Sequence, residues 1–418
     1  MGRAIVKPSV ARHRRRSLDP DRISAQATGM NVPLILFRHA HVYSPQDLGF
    51  CDVLCAGGRI AAIGAALELP PASWPCEVVQ LDGARLIPGM VDGHVHLCGG
   101  GGEAGAHTRV PRVQVPHLTL AGVTSAIGLL GTDGSTRSVA ESLACARALE
   151  HAGLSTWCYT GSYELPLVTL TGSVRGDLVH NDRLIAVGEL ALSDHRSSQP
   201  TLQELLRIAS DCHVCGMMTG KAGLLHLHMG DGPRGLELVR QALRQSELPA
   251  RTFHPTHVNR NRQLWQQTKD LHRERGIFAD VTALEADDDS LGVAAAVADW
   301  LDSDLDPTKL TASSDGGGCL PVFDGDGGLL RMEVGQSMGL SDALVQLLAN
   351  GRTLQSVLPV FTSNPARLFR LRAKGEIAVG RDADLVVLDD SGRARDVVAN
   401  GNWMVRDGKA LVRGQFDD

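Results

Sequence analysis

Residues 88–105 read PGMVDGHVHLCGGGGEAG. An apolar, β-like run ends in two histidines at i and i+2, followed by four glycines and a glutamate. On a strand, side chains at i and i+2 leave from the same face, so His94 and His96 can grip one ion together. A single His-x-His is weak on its own, and HLH recurs at 226–228. The rhythm of the chain beyond the first pair is what gives it weight.

Eight apolar runs succeed one another: GMVDGHVHL, TSAIGLL, TWCYTGSYEL, LIAVGELALS, LLHLHMGD, TFHPTHVN, IFADVTAL and LTASSDGG. Segments of helical period lie between most of them, such as SVAESLACARALEHAG, TLQELLRIASDC, RGLELVRQALRQS and SLGVAAAVADWLDS. Short apolar runs alternating with helices are the pattern of βα units and a parallel sheet. Eight in series over roughly 230 residues predict an α/β fold built on a (β/α)8 TIM-type barrel. The polar residues of these runs gather at their C-terminal ends: His94 and His96, Tyr163, Glu189, His228, His257 and Asp315. Barrel active sites lie at that face, where the βα loops meet. Four histidines with two carboxylates are a donor set for divalent cations, zinc above all.

The ends of the chain have a different period. VPLILFRHAHVYS, DVLCAGGRIAAIG and CEVVQLDGARLIPG before the barrel, and KGEIAVGRDADLVVLD and VVANGNWMVRDGKALV after it, read as short strands joined by turns. The expected organisation is a small β-sandwich domain from both ends, residues 31–87 and 372–418, interrupted by a barrel over 88–371. Residues 1–30, which include ARHRRRSLDPDR, are expected to be a disordered basic tail, with no apolar segment that would make a signal peptide.

Composition narrows the function. With 418 residues, 43% of them hydrophobic and 21% charged, the chain has the make-up of a large globular protein. A net charge of −6 gives no global reason to bind nucleic acid or a membrane surface. Nine cysteines follow no regular framework of disulfides or zinc fingers, so reduced thiols and a cytoplasmic location are expected.

Longer motifs add a resemblance. PGMVDGHVHL, the later SSDG and the closing GEIAVGRDADLVVLD resemble the amidohydrolase superfamily of metal-dependent hydrolases. Within it, HVHLCGGGGEAG, GLLGTDG, TGSYELP, SDHRS, HMGD and PTHVNRN resemble the isoaspartyl (β-aspartyl) dipeptidases, over about residues 32–418. The resemblance implies two divalent metal ions, most simply Zn2+, with His94, His96 and Asp315 on one and His228 and His257 on the other. The choice of His228 over His226 rests on the adjacent MGD. Those dipeptidases bridge their metals with a carboxylated lysine; this chain has Glu189 there, with the same single charge on a shorter side chain.

The resemblance further implies a metal-bridging hydroxide as nucleophile, Asp315 as proton acceptor and Tyr163 as donor to the oxyanion. Glu103, presented at the end of the glycine run, would meet the substrate ammonium. Arg196 and Arg260 would hold carboxylate, for which a planar guanidinium is suited. Thr132 is a candidate substrate contact, and Cys319 stands where the family tends to carry a small hydroxyl residue. The implied partner is a small dipeptide substrate, and the implied assembly a homo-oligomer, with an octamer the candidate. Two rival readings are a cyclic-amide hydrolase of the dihydroorotase or hydantoinase type, and a catalytically silent metal-binding scaffold.

Overall fold

The computed structural model describes residues 34–284, 288–323 and 329–414. The tail expected over 1–30 lies outside the described residues. At the centre are eight parallel strands: β1 (Met90–Val95), β2 (Val123–Gly128), β3 (Ser155–Thr160), β4 (Leu184–Leu192), β5 (Leu225–Met229), β6 (Phe253–Thr256), β7 (Ala279–Thr282) and β8 (Leu310–Ser313). Strands β1 to β6 pair in chain order, and β7 pairs with β8. Val258 N donates to Asp280 O (3.3 Å) across β6 and β7. His96 N donates to Gly316 O (2.8 Å) between the ends of β8 and β1, which closes the ring.

Both faces of this ring are covered, and the sequence of its strands reflects that. β4, LIAVGELAL, is buried at every position, as expected of a parallel strand between a filled interior and a shell of helices. The helix after it, Leu202–Thr219, begins with a reciprocal cap. Thr201 accepts from Glu204 N while the Glu204 carboxylate accepts from Thr201 N, satisfying two donors that a helix start leaves open. Cys212 and Cys215 form a C-x-x-C pair within this helix, against the expectation of cysteines scattered without such pairs; both are buried free thiols, and of the other seven, also free, Cys55, Cys98 and Cys158 are buried while Cys51, Cys76, Cys145 and Cys319 are partly exposed.

The chain ends form one nine-stranded mixed sheet. Its N-terminal and C-terminal parts join where Arg85–Pro88 pairs antiparallel with Leu385–Leu388. Alternation along the C-terminal strands divides two cores. Leu385, Val387 and Val398 face Ile35, Phe37 and Val53, while Val386, Leu388, Val397 and Ala399 join the barrel core. Phe37 and Trp403 sit on strands separated by three others in this sheet, which in a flat sheet would put them about 19 Å apart. Their ring centroids are 5.8 Å apart, so the sheet rolls over on itself into two layers. Gly89 N donates to Asp384 O (2.9 Å), which ties the start of β1 to the small sheet.

Candidate metal centre and active site

Every residue of the expected cation set arrives at the C-terminal mouth of the ring. His94 lies in β1 and His96 just after it; Glu189 lies in β4, His228 in β5, His257 directly after β6, and Asp315 two residues beyond β8. All six are buried. Glu189 stands between two pairs of imidazoles. Its Oε1 is 3.5 Å from Nε2 of both His94 and His96; its Oε2 is 3.3 Å from His228 Nδ1 and 3.4 Å from His257 Nε2. Asp315 Oδ1 is 3.0 Å from His96 Nε2 and 3.4 Å from His94 Nε2. His257 (φ 60°) and Asp315 (φ 54°) both have left-handed backbone, a conformation that costs a non-glycine residue about 1–3 kcal/mol and that clusters at functional sites.

The donor chemistry fits divalent cations. His94 Nε2, Glu189 Oε2 and Asp315 Oδ1 are buried with no hydrogen-bond partner among the described residues. Leaving such atoms unpaired in a low-dielectric interior is costly unless an ion takes them. Two compact groupings of donor atoms emerge, His94–His96–Asp315 and His94–Glu189–His257. His228 falls outside both, although its Nδ1 is 3.3 Å from Glu189 Oε2 and 2.7 Å from the Tyr163 hydroxyl. The division of the Glu189 oxygens is the better guide to pairing, since each carboxylate oxygen can serve one cation.

Charge balance agrees. Burial alone would raise the Glu189 and Asp315 carboxyls, but His94 and its neighbours outweigh it and hold both well below the usual carboxylate range. Burial pushes the His257 imidazole down to about 4, so it is neutral near pH 7, whereas at His94 burial is overcome by the Glu189 and Asp315 charges, which raise the imidazole well above its ordinary value. A cation at His94 Nε2 would displace that proton and supply the balancing charge. Burial and then the Glu189 charge raise the Tyr163 phenol well above its ordinary value, so it stays a proton donor.

Above this floor is a cavity of about 540 Å³ whose lining includes Glu103, Thr132, Tyr163, Arg196, Arg260 and Cys319. The five expected substrate contacts therefore converge there, together with Tyr163. Thr132 Oγ1 donates to Glu103 Oε1 (3.1 Å), while Glu103 Oε2 is buried with no hydrogen-bond partner of ordinary geometry among the described residues. Arg196 is braced on Asp194 by two hydrogen bonds of 3.0 and 2.8 Å, and its guanidinium lies 3.7 Å from Glu103. Arg260 donates to Met229 O (2.8 Å) and pairs with Asp231. Cys319 opens a hairpin, Cys319–Phe323 with Leu329–Val334, whose Arg331 and Glu333 also reach the cavity.

The glycine run packs against protein backbone. A Cβ on Gly99 (φ +81°) would come within 2.0 Å of Val110 O, so the loop can fold this tightly only without a side chain there. Arg137, buried beside it, donates to Cys98 O (2.7 Å), Gly100 O (2.6 Å) and Val110 O (3.3 Å), clamping the loop that presents Glu103. Arg137 and Asp194 carry no mark in the sequence, and His195 reads there as a structural or supporting histidine. SDHRS contains the last two, yet only the fold shows Asp194 between Arg196 and His228 Nε2 (3.0 Å).

Comparison with known proteins bears on this geometry. Residues 85–404 match the Amidohydrolase family. The chain belongs to that family. As an amidohydrolase it is a hydrolase, and it is similar over nearly its whole length to one solved group. The crystal structure of the beta-aspartyl dipeptidase from Fervidobacterium islandicum AW-1, in complex with beta-Asp-Leu dipeptide, is 39% identical, with a TM-score of 0.86 over 90% of this chain and 97% of that one. The D-hydantoinase from Thermus sp. shares the fold alone, at 15% identity and a TM-score of 0.66 over 92% of this chain and 98% of that one. A curated adenine deaminase of Deinococcus radiodurans is 40% identical over only 81 residues, 19% of this chain and 14% of its own length. Among the described residues, no helix of this amidohydrolase is long and apolar enough to cross a membrane.

Proposed function

We propose that this amidohydrolase cleaves isoaspartyl (β-aspartyl) dipeptides with two divalent cations, zinc foremost. His94, His96 and Asp315 would hold one cation and His228 and His257 the other, with Glu189 bridging them in place of a carboxylated lysine. The observation that carries the reading is the division of Glu189, one oxygen to each imidazole pair at 3.3–3.5 Å. The Fervidobacterium relative, solved with beta-Asp-Leu, supports the substrate class. Glu103 supports it independently, because a cyclic amide has no free ammonium for that carboxylate to meet.

When bound, such cations lower the pKa of a shared water toward neutrality and polarise the scissile carbonyl. Asp315, held ionised, accepts the proton of the attacking water and returns it to the leaving amine as the C–N bond breaks. Tyr163 donates to the carbonyl oxygen as it gains charge, from a fixed position beside His228. Glu103, supported by Thr132, takes the substrate ammonium, and Arg196 and Arg260 take carboxylate. Cys319 lies by Glu103 as a neutral neighbour.

The test combines two measurements on one preparation. Elemental analysis should find two zinc equivalents per chain, and β-Asp-Leu should be turned over while dihydroorotate is not. Turnover of the ring alone would overturn the substrate class, and no more than one cation per chain would overturn the bridge. Light scattering on the same sample tests the homo-oligomer, which this reading carries with it.

A further inference from the structure

Beneath the cation-facing atoms lies a buried set of side chains that the reaction above does not use. His94 Nδ1 is 2.9 Å from His226 Nε2, and His226 Nδ1 is 2.9 Å from His254 Nδ1. His254 Nε2 is 3.2 Å from Thr311 Oγ1, which donates to Asp280 Oδ1 at 2.5 Å. A second path starts from the other side of the floor. His257 Nδ1 is 2.8 Å from Thr282 Oγ1, Thr282 Oγ1 is 3.4 Å from Thr256 Oγ1, and Thr256 donates to Asp280 Oδ2 at 2.8 Å. Ser313 also donates to Asp280 Oδ2 (2.5 Å). Every member is at most 4% exposed.

Donor accounting gives each path one direction. If His94 presents the Nε2 lone pair to a cation, its proton sits on Nδ1 and is donated to His226 Nε2. His226 then carries its own proton on Nδ1, and its acceptor there among the described residues is His254 Nδ1. His254 must therefore be protonated on Nε2 and donate to Thr311, whose hydroxyl proton goes to Asp280. The second path runs the same way, from His257 through Thr282 and Thr256. The Thr311 hydroxyl also lies 3.3 Å from Ala279 O, but Asp280 Oδ1 at 2.5 Å is the nearer acceptor, and with Thr256 on its Oδ2 Asp280 ends both paths so that these protons point away from the cations.

We propose that Asp280 is the positioning residue for both cation sites, fixing the tautomers of His94 and His257 through these two converging chains. The inference rests on the assignment of those two histidines as ligands. Partners behind a ligating histidine orient the ring and raise its donor strength, and losing them typically costs about 10–100-fold in metal affinity. Here one carboxylate serves a ligand on each side of the bridge from two or more residues away.

The test is zinc affinity, site by site, by competition with a chromophoric chelator on full-length protein stripped and reloaded, with the visible spectrum of the Co2+ form as a second readout. Wild type against His94→Ala tests the ligand assignment alone: equal zinc content would defeat that assignment. Thr311→Val, which keeps shape and removes one hydroxyl, should weaken one site about 10-fold and leave the other unchanged. Thr282→Val should weaken the other site instead, and Asp280→Asn should weaken both. The Co2+ bands should shift in each weakened site. If both threonine variants are folded and bind two zinc ions within twofold of wild type, or if each weakens both sites equally, Asp280 has no such role.

Discussion

The floor of the cavity and its rim are held by opposite means. Floor residues sit on or just beyond barrel strands, deeply buried, with hydrogen-bonded side chains packed behind them. Rim residues sit on loops and are braced from one side: Glu103 by Thr132 on a glycine loop clamped by Arg137, Arg196 by Asp194, and Arg260 by Asp231 and Met229 O. A floor built this way fixes the reactive geometry to within a bond length, whereas loops let the rim change partners without disturbing it. Damage to the floor should thus abolish turnover, and damage to the rim should grade it.

The largest effect belongs to Glu189. Glu189→Gln leaves the bridge without charge while four imidazoles still face it. Cation content should fall to one per chain or less, and kcat/KM by at least about 10³-fold, since metal electrostatics supply several kcal/mol of transition-state stabilisation. Two cations bound with activity within tenfold of wild type would mean that floor and rim are not distinct in the way described. Next comes Tyr163→Phe. Its hydroxyl should act only as charge develops, so kcat should drop by about 10²–10³ while KM and cation content stay near wild type. A rise in KM at constant kcat would move Tyr163 from the floor to the rim.

The same contrast explains what could be read from the chain. Polar residues at the ends of six of the eight apolar runs placed the floor, because strand alternation and βα rhythm are local patterns. The rim is local in no such sense. Glu103, Arg196 and Arg260 were legible only through longer motifs that resemble a family, since a loop residue's direction depends on what it packs against. The support layer was missed for another reason. Thr256, Thr282, Thr311 and Ser313 are ordinary strand residues, and Asp280 within IFADVTAL carries no mark of its own. Asp280, the acceptor for Thr256, Thr311 and Ser313, meets them only once β6, β7 and β8 are side by side. HLH at 226–228 shows the limit well. Choosing His228 for the cation left His226 without a task, although it lies one interior layer below, against His94.

On the rim, Glu103→Gln should lower kcat/KM for β-Asp-Leu by about 10–100-fold, mostly through KM, because a hydrogen bond to a charged group contributes about 1.5–3 kcal/mol. With an N-acetylated β-aspartyl substrate, which has no ammonium, wild type and variant should turn over at the same rate. If the variant is impaired equally on both substrates, Glu103 acts on the floor.

The smallest effect is expected at Cys319, and it probes how dry the rim is. Burial, with the Glu103 charge beside it, pushes this thiol up to about 12. A thiol with a raised pKa is neutral below that value, so at pH 8 almost none is the thiolate that reacts with alkylating agents. Iodoacetamide at pH 8 should therefore modify Cys319 far more slowly than a free cysteine in solution, with the rate still climbing above pH 10. Cys319→Ser keeps size and neutrality and should change KM for β-Asp-Leu by less than about threefold, within the range of a surface-type change of ±0.5 kcal/mol. Rapid alkylation at pH 8 would show that water reaches the rim beside Glu103 as freely as it does a surface loop. The charge that Glu103 offers would then be screened, and its expected discrimination for an ammonium would shrink with it.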